Sequence, residues 1–471
     1  MEMAARRVRA FKRWMKQEGI ECSDALDLTV SAAQGLSITA LADLHVGDAV
    51  ARIPKAACLT IVTTSARDMI DAAGLDGSLG LAVAIMQERS LGEQSPWAPY
   101  LAVLPEREAI PLVWTAEELL RGTELHETVK EDRTVMLEDW KESIEPLRDQ
   151  IGTRFERFFG FEDYLAARTL IASRSFQVDD HHHGVGMVPL ADIFNHKTGA
   201  EDVHLNTSAS SGDSESEEGE SGSEEGNEST TTDDDDLEMV MVKDVKAGAE
   251  VFNTYGLLGN AALLHRYRFT EPDNPFDIVN IDLELVLQWG ASLFSGQHRR
   301  ARLSLWRRLG YSGCASHNSE YFEISFNGEP PNELLLLLYI MLLQQNAYDK
   351  IDLALATAGN SNGHMDGILS DKSEKLSDIT AEFSEAVLLT NTICNALLSL
   401  ADMRESLYGK NSIEDDVEAL KRCSIKEKKL HHSLMLRISE RKIIQKFRTF
   451  ASSSSQVRTS EASPRKKLKQ K

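Results

Sequence analysis

The chain has 471 residues, of which 42% are hydrophobic and 27% charged. That balance supports two or three globular domains around a large core and excludes a fibrous or wholly disordered protein. The net charge of −23 excludes a general nucleic-acid binder. The charge is uneven: residues 207–236 hold 12 Asp or Glu and no Lys or Arg, leaving −11 elsewhere, whereas residues 458–471 hold six Lys or Arg against Glu461.

The first predicted element is a helix over residues 4–18, where Val8, Phe11, Trp14 and Met15 fall at helical spacing. Short β-type runs follow at 38–42, 49–53 and 59–62, punctuated by Gly47-Asp48 and Pro54. From about residue 65 to 170 the pattern is helical. Leu81, Ala84, Ile85 and Glu88 mark one helix, Val135, Leu137 and Trp140 another, and residues 155–173 a longer pair. Strand patterns return at 185–189, 239–243 and 250–254. Beyond Pro275 helices are predicted at 283–309, 334–345, 373–407 and 413–450.

This order predicts an α+β fold in which short β-sheets are interrupted by a helical insertion and followed by an all-helical C-terminal domain. The longest apolar run, 334–343, is too short to span a bilayer and reads as a core helix, so no membrane partner is expected. Residues 1–13 are basic but lack the apolar stretch of a secretory signal. Cys22, Cys58, Cys314, Cys394 and Cys423 are odd in number and scattered, which points to reduced thiols inside a cell. Residues 206–236 contain almost nothing apolar and cannot offset the entropy of ordering, so a disordered acidic loop is expected between two strands of a hairpin. The plain reading of that loop is a solvated insertion. The sharper one is a contact for a basic partner or a phosphorylated switch.

Several familiar catalytic signatures are absent from the sequence: there is no G-x-x-x-x-G-K-[ST], no strand-linked G-x-G-x-x-G, no H-E-x-x-H and no paired C-x-x-C. The triplet His181-His182-His183 sits beside Asp179-Asp180 without further ligands, so no metal is expected. What remains is an ordered constellation. Arg174-Ser175-Phe176 closes a helix, and Ala191-Asp192-Ile193-Phe194-Asn195-His196 follows. Gly248-Ala249-Glu250-Val251-Phe252-Asn253-Thr254-Tyr255-Gly256 comes after the acidic segment, and then Leu263-Leu264-His265-Arg266-Tyr267-Arg268-Phe269. Further pieces are Gln34-Gly35-Leu36, Ile53-Pro54-Lys55, the stretch from Ser95-Pro96-Trp97 to Leu104-Pro105, and Pro111-Leu112-Val113-Trp114.

Together and in this order these pieces resemble the SET-domain protein methyltransferases, in the branch typified by Rubisco large-subunit and ribosomal-protein lysine methyltransferases. The resemblance runs by motif from about residue 34 to 269. It implies an N-terminal helix at 1–25, a SET domain at 26–270 with its insertion at about 65–165, a helical substrate-binding domain at 275–450, and a basic disordered tail at 451–471. It also implies transfer of a methyl group from S-adenosylmethionine to a lysine amine of a protein, without a metal. Tyr255 is the implied catalytic side chain. Gly35, Leu36, Arg174, Asn195, His196, Tyr267 and Phe269 are the implied donor-binding residues, with Arg174 on the donor carboxylate, where a guanidinium fork fits. Phe194, Tyr255 and Tyr267 are the implied walls of the lysine channel, and Asp192 an anchor of the turn.

The family pattern has glycines where Ser37 and Arg268 stand. A positive φ at the second position would strain Arg268. A protein-histidine methyltransferase of the same branch and a catalytically inactive interaction scaffold are the alternatives. The expected partner is a lysine-bearing ribosomal, histone or other nuclear protein, met by a helical face that includes Trp289, Trp306 and Arg299-Arg300-Arg302, with no direct nucleic-acid contact and a monomeric chain. The basic run 464–469 points to the nucleus, with the cytoplasm as alternative. No chloroplast transit-type leader is evident.

Overall fold

The computed structural model describes residues 2–31, 35–115, 117–179, 182–207, 236–309, 320–360, 388–424 and 426–461. They divide into two compact units. The first comprises Met1–Trp114, Val129–Leu258 and Ala262–Arg268. The second comprises Thr115–Thr128, Gly259–Ala261 and Phe269–Lys471.

In the first unit the helix Glu2–Gln17 buries Val8, Phe11, Trp14 and Met15, the stripe its spacing predicts. Phe11 is fully buried, a gain of about 2–3 kcal/mol over exposure. The Trp14 indole N–H donates to the Pro96 carbonyl at 2.8 Å, and its ring stacks on Tyr100. The strands are β1 (Glu21–Cys22), β2 (Leu26–Ser31), β3 (Gly35–Ala40), β4 (Ala49–Pro54), β5 (Ser175–Gln177), β6 (Val185–Met187), β7 (Asn195–His196), β8 (Val203–Thr207), β9 (Asp236–Met241) and β10 (Phe252–Asn253). The largest sheet has the order β1-β4-β9-β8 and is antiparallel throughout. The pairs β2–β3 and β5–β6 are antiparallel, whereas β7 and β10 run parallel.

The expected strand at 59–62 does not form. Leu59 makes a single bridge to Met187, and the chain then turns. The cause is local: the Thr63 hydroxyl donates to the Cys58 carbonyl at 2.6 Å and accepts the Thr60 N–H at 2.9 Å, giving the backbone an alternative to a ladder. Of the acidic loop expected at 206–236, residues 208–235 lie outside the described residues, whereas Asn206 and Thr207 belong to β8 and Asp236 to β9. The strands on either side of it are neighbours, with Thr207 opposite Leu237. Gln34 also lies outside the described residues.

Helix Gly77–Leu91 supplies Leu81, Ala84 and Ile85 to the core. The same helix buries the carboxylate of Glu88. One oxygen accepts from the Thr64 hydroxyl and from the Ser65 N–H and hydroxyl, each at 2.8 Å, and the other accepts from the Ser95 hydroxyl at 2.6 Å. Such full satisfaction is what makes a buried charge tolerable.

The second unit packs helices Leu283–Ala291, Gly296–Arg308, Asn332–Leu342, Gln345–Asn360, Asn391–Ser406, Ile413–Arg422 and Lys428–Glu461. It also holds a strand pair, β11 (Val279–Asp282) with β12 (Tyr321–Ile324), so the region is not purely helical. The helix expected over 283–309 is broken, because the Ser295 hydroxyl accepts the His298 N–H and starts a new helix. The run 413–450 likewise divides, and its second helix continues to Glu461, ten residues past the expected start of the tail. Residues 462–471, including the basic run, lie outside the described residues, as do 361–387 in the expected helix 373–407.

Residues 115–128 belong to this unit and not to the insertion assigned from sequence. The Gly122 carbonyl accepts from Arg404 at 2.6 Å, and the Glu124 carboxylate accepts the Asn280 N–H at 2.8 Å. The expected binding face is corrected as well. Trp289, Trp306 and Arg302 are buried in the core, with the Arg302 guanidinium over the Tyr348 ring at 3.8 Å. Of the arginines named for that face, only Arg300 is exposed.

Candidate active site

The site lies in the first unit, where β7 and β10 pair in parallel, Asn195 beside Phe252 and His196 beside Asn253. This pairing brings the segment before the acidic insertion against the segment after it. The approach to β7 is a tight turn. Leu190 is fully buried at φ 77°, ψ −49°, a conformation that costs a branched residue about 1–3 kcal/mol and persists only where surrounding packing dictates it.

Just beyond that turn, the Asp192 side chain is fully buried. Its Oδ2 accepts from the Tyr100 hydroxyl at 2.9 Å, and its Oδ1 has no hydrogen-bond partner among the described residues. Burial pushes the carboxyl up to about 6, against the opposing pull of Arg174 and the Tyr100 bond.

Arg174 is the last residue of helix Phe161–Arg174. Its Nε and Nη2 hold one oxygen of Glu108 at 2.8 and 2.7 Å, and its Nη1 donates to the Asp192 carbonyl at 2.9 Å. Burial disfavours the guanidinium charge, but Glu108 and Asp192 outweigh it and hold the group above its ordinary range. Among the described residues three of its five N–H donors are so engaged, which leaves two for a further carboxylate.

Glu108 is itself only 3% exposed. Its backbone N–H is fixed on the Thr169 hydroxyl at 3.0 Å, and its other carboxylate oxygen lies 3.5 Å from Arg268. Arg268 follows helix Asn260–Tyr267, and its N–H closes that helix on the Leu264 carbonyl at 3.2 Å. Its φ is 65°. This is the left-handed helix-ending position that glycine takes most readily, and an arginine there costs about 1 kcal/mol. Ser37 carries no such cost: it sits in regular β3, where its hydroxyl meets that of Thr29 at 2.8 Å.

Tyr255 follows β10. Its hydroxyl donates to the Phe194 carbonyl at 3.0 Å and its N–H to His196 Nδ1 at 2.9 Å. With Nδ1 accepting, the ring proton of His196 is on Nε2, which meets the Thr198 hydroxyl at 2.8 Å. His196 therefore works as a latch between the two segments. The Tyr255 ring centroid lies 4.4 Å from that of Tyr267 and 5.0 Å from that of His196. Burial raises the phenol of Tyr255 well beyond its ordinary value and raises that of Tyr267 as well.

The sequence-derived residues fare unevenly. Arg174, Phe194, Asn195, His196, Tyr255 and Tyr267 come together. Gly35 and Leu36 begin β3, which packs against the Ala191–Ile193 turn. Gly35 has φ +86°, and a Cβ there would meet no atom of the described residues within 4 Å. Phe194 is corrected in kind: its ring is fully buried in the core, and its carbonyl is what reaches Tyr255. Phe269 falls in the second unit. Sequence reasoning missed Glu108, Tyr100 and Glu250, whose carboxylate accepts from the Asn195 amide at 2.6 Å. Glu250 stood inside a motif that was singled out, but no periodicity announces a carboxylate–amide pair 55 residues apart. His183 bonds to Asp179 at 2.7 Å, and His181 lies outside the described residues.

These features define a SET-domain fold whose SET unit carries a helical insertion. The comparisons with known proteins agree. The structure matches the SET domain of LSMT bound to lysine and AdoHcy with a TM-score of 0.67 at 21% identity, covering 95% of this chain and 91% of that one. It matches Rubisco LSMT bound to AdoMet with a TM-score of 0.65 at 20% identity, covering 96% and 92%.

By sequence the chain is similar to N-lysine methyltransferase SETD6 of Bos taurus, 27% identical over 322 residues, which cover 64% of this chain and 65% of that protein. It is similar to that of Mus musculus, 28% identical over 300 residues, covering 59% and 58%. Ribosomal lysine N-methyltransferase 3 of Saccharomyces cerevisiae is 25% identical over 364 residues, covering 60% of this chain and 65% of that protein. The chain thus spans somewhat less than two thirds of the length of these relatives. No protein-family model matches it.

Proposed function

We propose that this protein is a protein-lysine N-methyltransferase that takes its methyl group from S-adenosylmethionine. The observation that carries the reading is the parallel β7–β10 junction, which sets the Tyr255 hydroxyl on the Phe194 carbonyl beside Asn195 and His196. The relatives named above are lysine methyltransferases, and the structures of the same fold hold AdoMet, AdoHcy and lysine.

The residues present fit such a donor. The two remaining N–H groups of Arg174 suit an α-carboxylate, and the paired Asn195 amide and Glu250 carboxylate suit an ammonium or a ribose. The backbone at Gly35, which carries no Cβ, admits close approach, and the Tyr267 ring offers a flat apolar cover. When bound, the donor supplies an electrophilic methyl group.

The chain's own task is to present a neutral amine in line with that group. A lysine has a pKa near 10.4, so baring its amine at pH 7.4 costs about 4 kcal/mol. The desolvated walls formed by Tyr255 and Tyr267 lower that cost by disfavouring the ammonium. The Tyr255 phenol stays protonated because burial raises it, so it orients groups by hydrogen bonding and is not a base.

The substrate is a protein. Its presentation by the helical unit, its ribosomal or nuclear identity, and a nuclear address read from residues 464–469 are parts of the same proposal. The test is incubation of the purified chain with labelled donor and lysate from cells lacking it, followed by mass spectrometry of the modified residues. Label on lysine supports the reading. Label on histidine alone moves the assignment to the sister chemistry, and no label with intact donor binding makes the chain a scaffold. A fluorescent fusion with Lys466 and Lys467 changed to Ala, compared with wild type, tests the nuclear address, and unchanged distribution removes it.

A further inference from the structure

The charges around Arg174 do not favour an anion if Arg174 is counted alone. One carboxylate oxygen of Glu108 lies 2.7 Å from its guanidinium and Asp192 Oδ2 lies 3.8 Å away. A carboxylate arriving at the two remaining N–H groups would meet a cation already facing two acidic side chains. Arg268 changes this balance. It grips the other oxygen of Glu108 at 3.5 Å, so two guanidinium groups flank a single buried carboxylate. Arg268 does so from a left-handed backbone conformation at φ 65°, and its side chain remains 43% exposed. Strain kept beside a binding site, where glycine would relieve it, points to a use for the side chain.

We propose that Arg268 is a second cation for the carboxylate end of the methyl donor, and that Glu108 is the positioning residue which aims Arg174 and Arg268 at it together. The inference rests on the donor assigned above. It makes this subsite a two-arginine clamp tied by one carboxylate, specific for an amino-acid-bearing adenosine over one that lacks the amino acid.

The experiment is isothermal calorimetry of two ligands on the full chain. S-adenosylhomocysteine carries the α-carboxylate, and 5′-methylthioadenosine shares the adenosine and sulfur but has none. In Arg268→Gly, S-adenosylhomocysteine is expected to weaken about tenfold and to lose part of its salt dependence, while methylthioadenosine stays within twofold. Arg268→Lys should restore part of the loss. In Glu108→Gln the loss of the tie should outweigh the loss of one opposing charge, weakening the first ligand and sparing the second. Equal effects on both ligands, or none on the first, overturn the clamp and leave a helix-ending arginine whose role is structural. If wild type binds neither ligand, the clamp and the proposed activity fall together. If wild type binds and transfers methyl while Arg268→Gly binds S-adenosylhomocysteine unchanged, the clamp alone falls.

Discussion

Tyr100→Phe removes one atom from the first unit, and its effect should depend on pH in a way that reports on Asp192. The Tyr100 hydroxyl is buried and donates to Asp192 Oδ2 at 2.9 Å, while Asp192 Oδ1 has no hydrogen-bond partner among the described residues. The folded carboxyl titrates at about 6, against about 3.9 in an unfolded chain. That difference corresponds to about 3 kcal/mol. The folded state therefore holds the proton more tightly. This group contributes stability below about pH 4, and that contribution is lost as pH rises from 4 through 6.

Above pH 6 the carboxylate is ionised and leans on the phenol. Losing that charge-assisted bond should then cost about 2–3 kcal/mol. At pH 5 the folded carboxyl is neutral, and the same loss should cost only about 1 kcal/mol. Urea unfolding followed by tryptophan fluorescence, run on both chains at pH 5 and pH 8, gives the difference. The variant should lose clearly more at pH 8. An equal loss at both pH values would refute the reasoning, because Asp192 would then not be the group that the phenol serves.

Tyr255→Phe removes the bond to the Phe194 carbonyl but leaves the ring 4.4 Å from Tyr267. Turnover should fall by about a hundredfold and stability by about 1 kcal/mol, and a variant that transfers methyl at the wild-type rate would exclude a role for the hydroxyl. Gly122→Ala should destabilise the helical unit by about 2–4 kcal/mol. A Cβ there would sit 2.6 Å from the Tyr408 backbone, and the residue has φ +80°, so a melting temperature within a degree of wild type would contradict that packing. Replacing residues 208–235 with a four-residue turn should keep the fold and add about 1–2 kcal/mol through a shorter loop closure. The strands it joins already pair Thr207 with Leu237, so a lower melting temperature would show that the segment holds contacts of its own.

Arg174, Asn195, His196, Tyr255 and Tyr267 were named only through the resemblance of their order to a known family, whereas the amphipathic stripe of the first helix and the order of short strands and helices were legible from local spacing. Helix breaks were less so. The interruption before Gly296 depends on one serine hydroxyl meeting one N–H, a bond that composition does not encode. The surface assigned to Trp289, Trp306 and Arg302 failed for the opposite reason: aromatic and cationic side chains at helical spacing are equally compatible with a core in which a guanidinium lies over a tyrosine ring.

By itself the sequence determined the fold class, which follows from the local order of strands and helices, and named the site residues only through a family resemblance. Only the tertiary structure decided which acids govern those groups. Glu108 reaches Arg174 across 66 residues, Glu250 reaches Asn195 across 55, and Tyr100 reaches Asp192 across 92. Electrostatic partnership is set by distance and burial in space, and neither varies regularly with position in the chain.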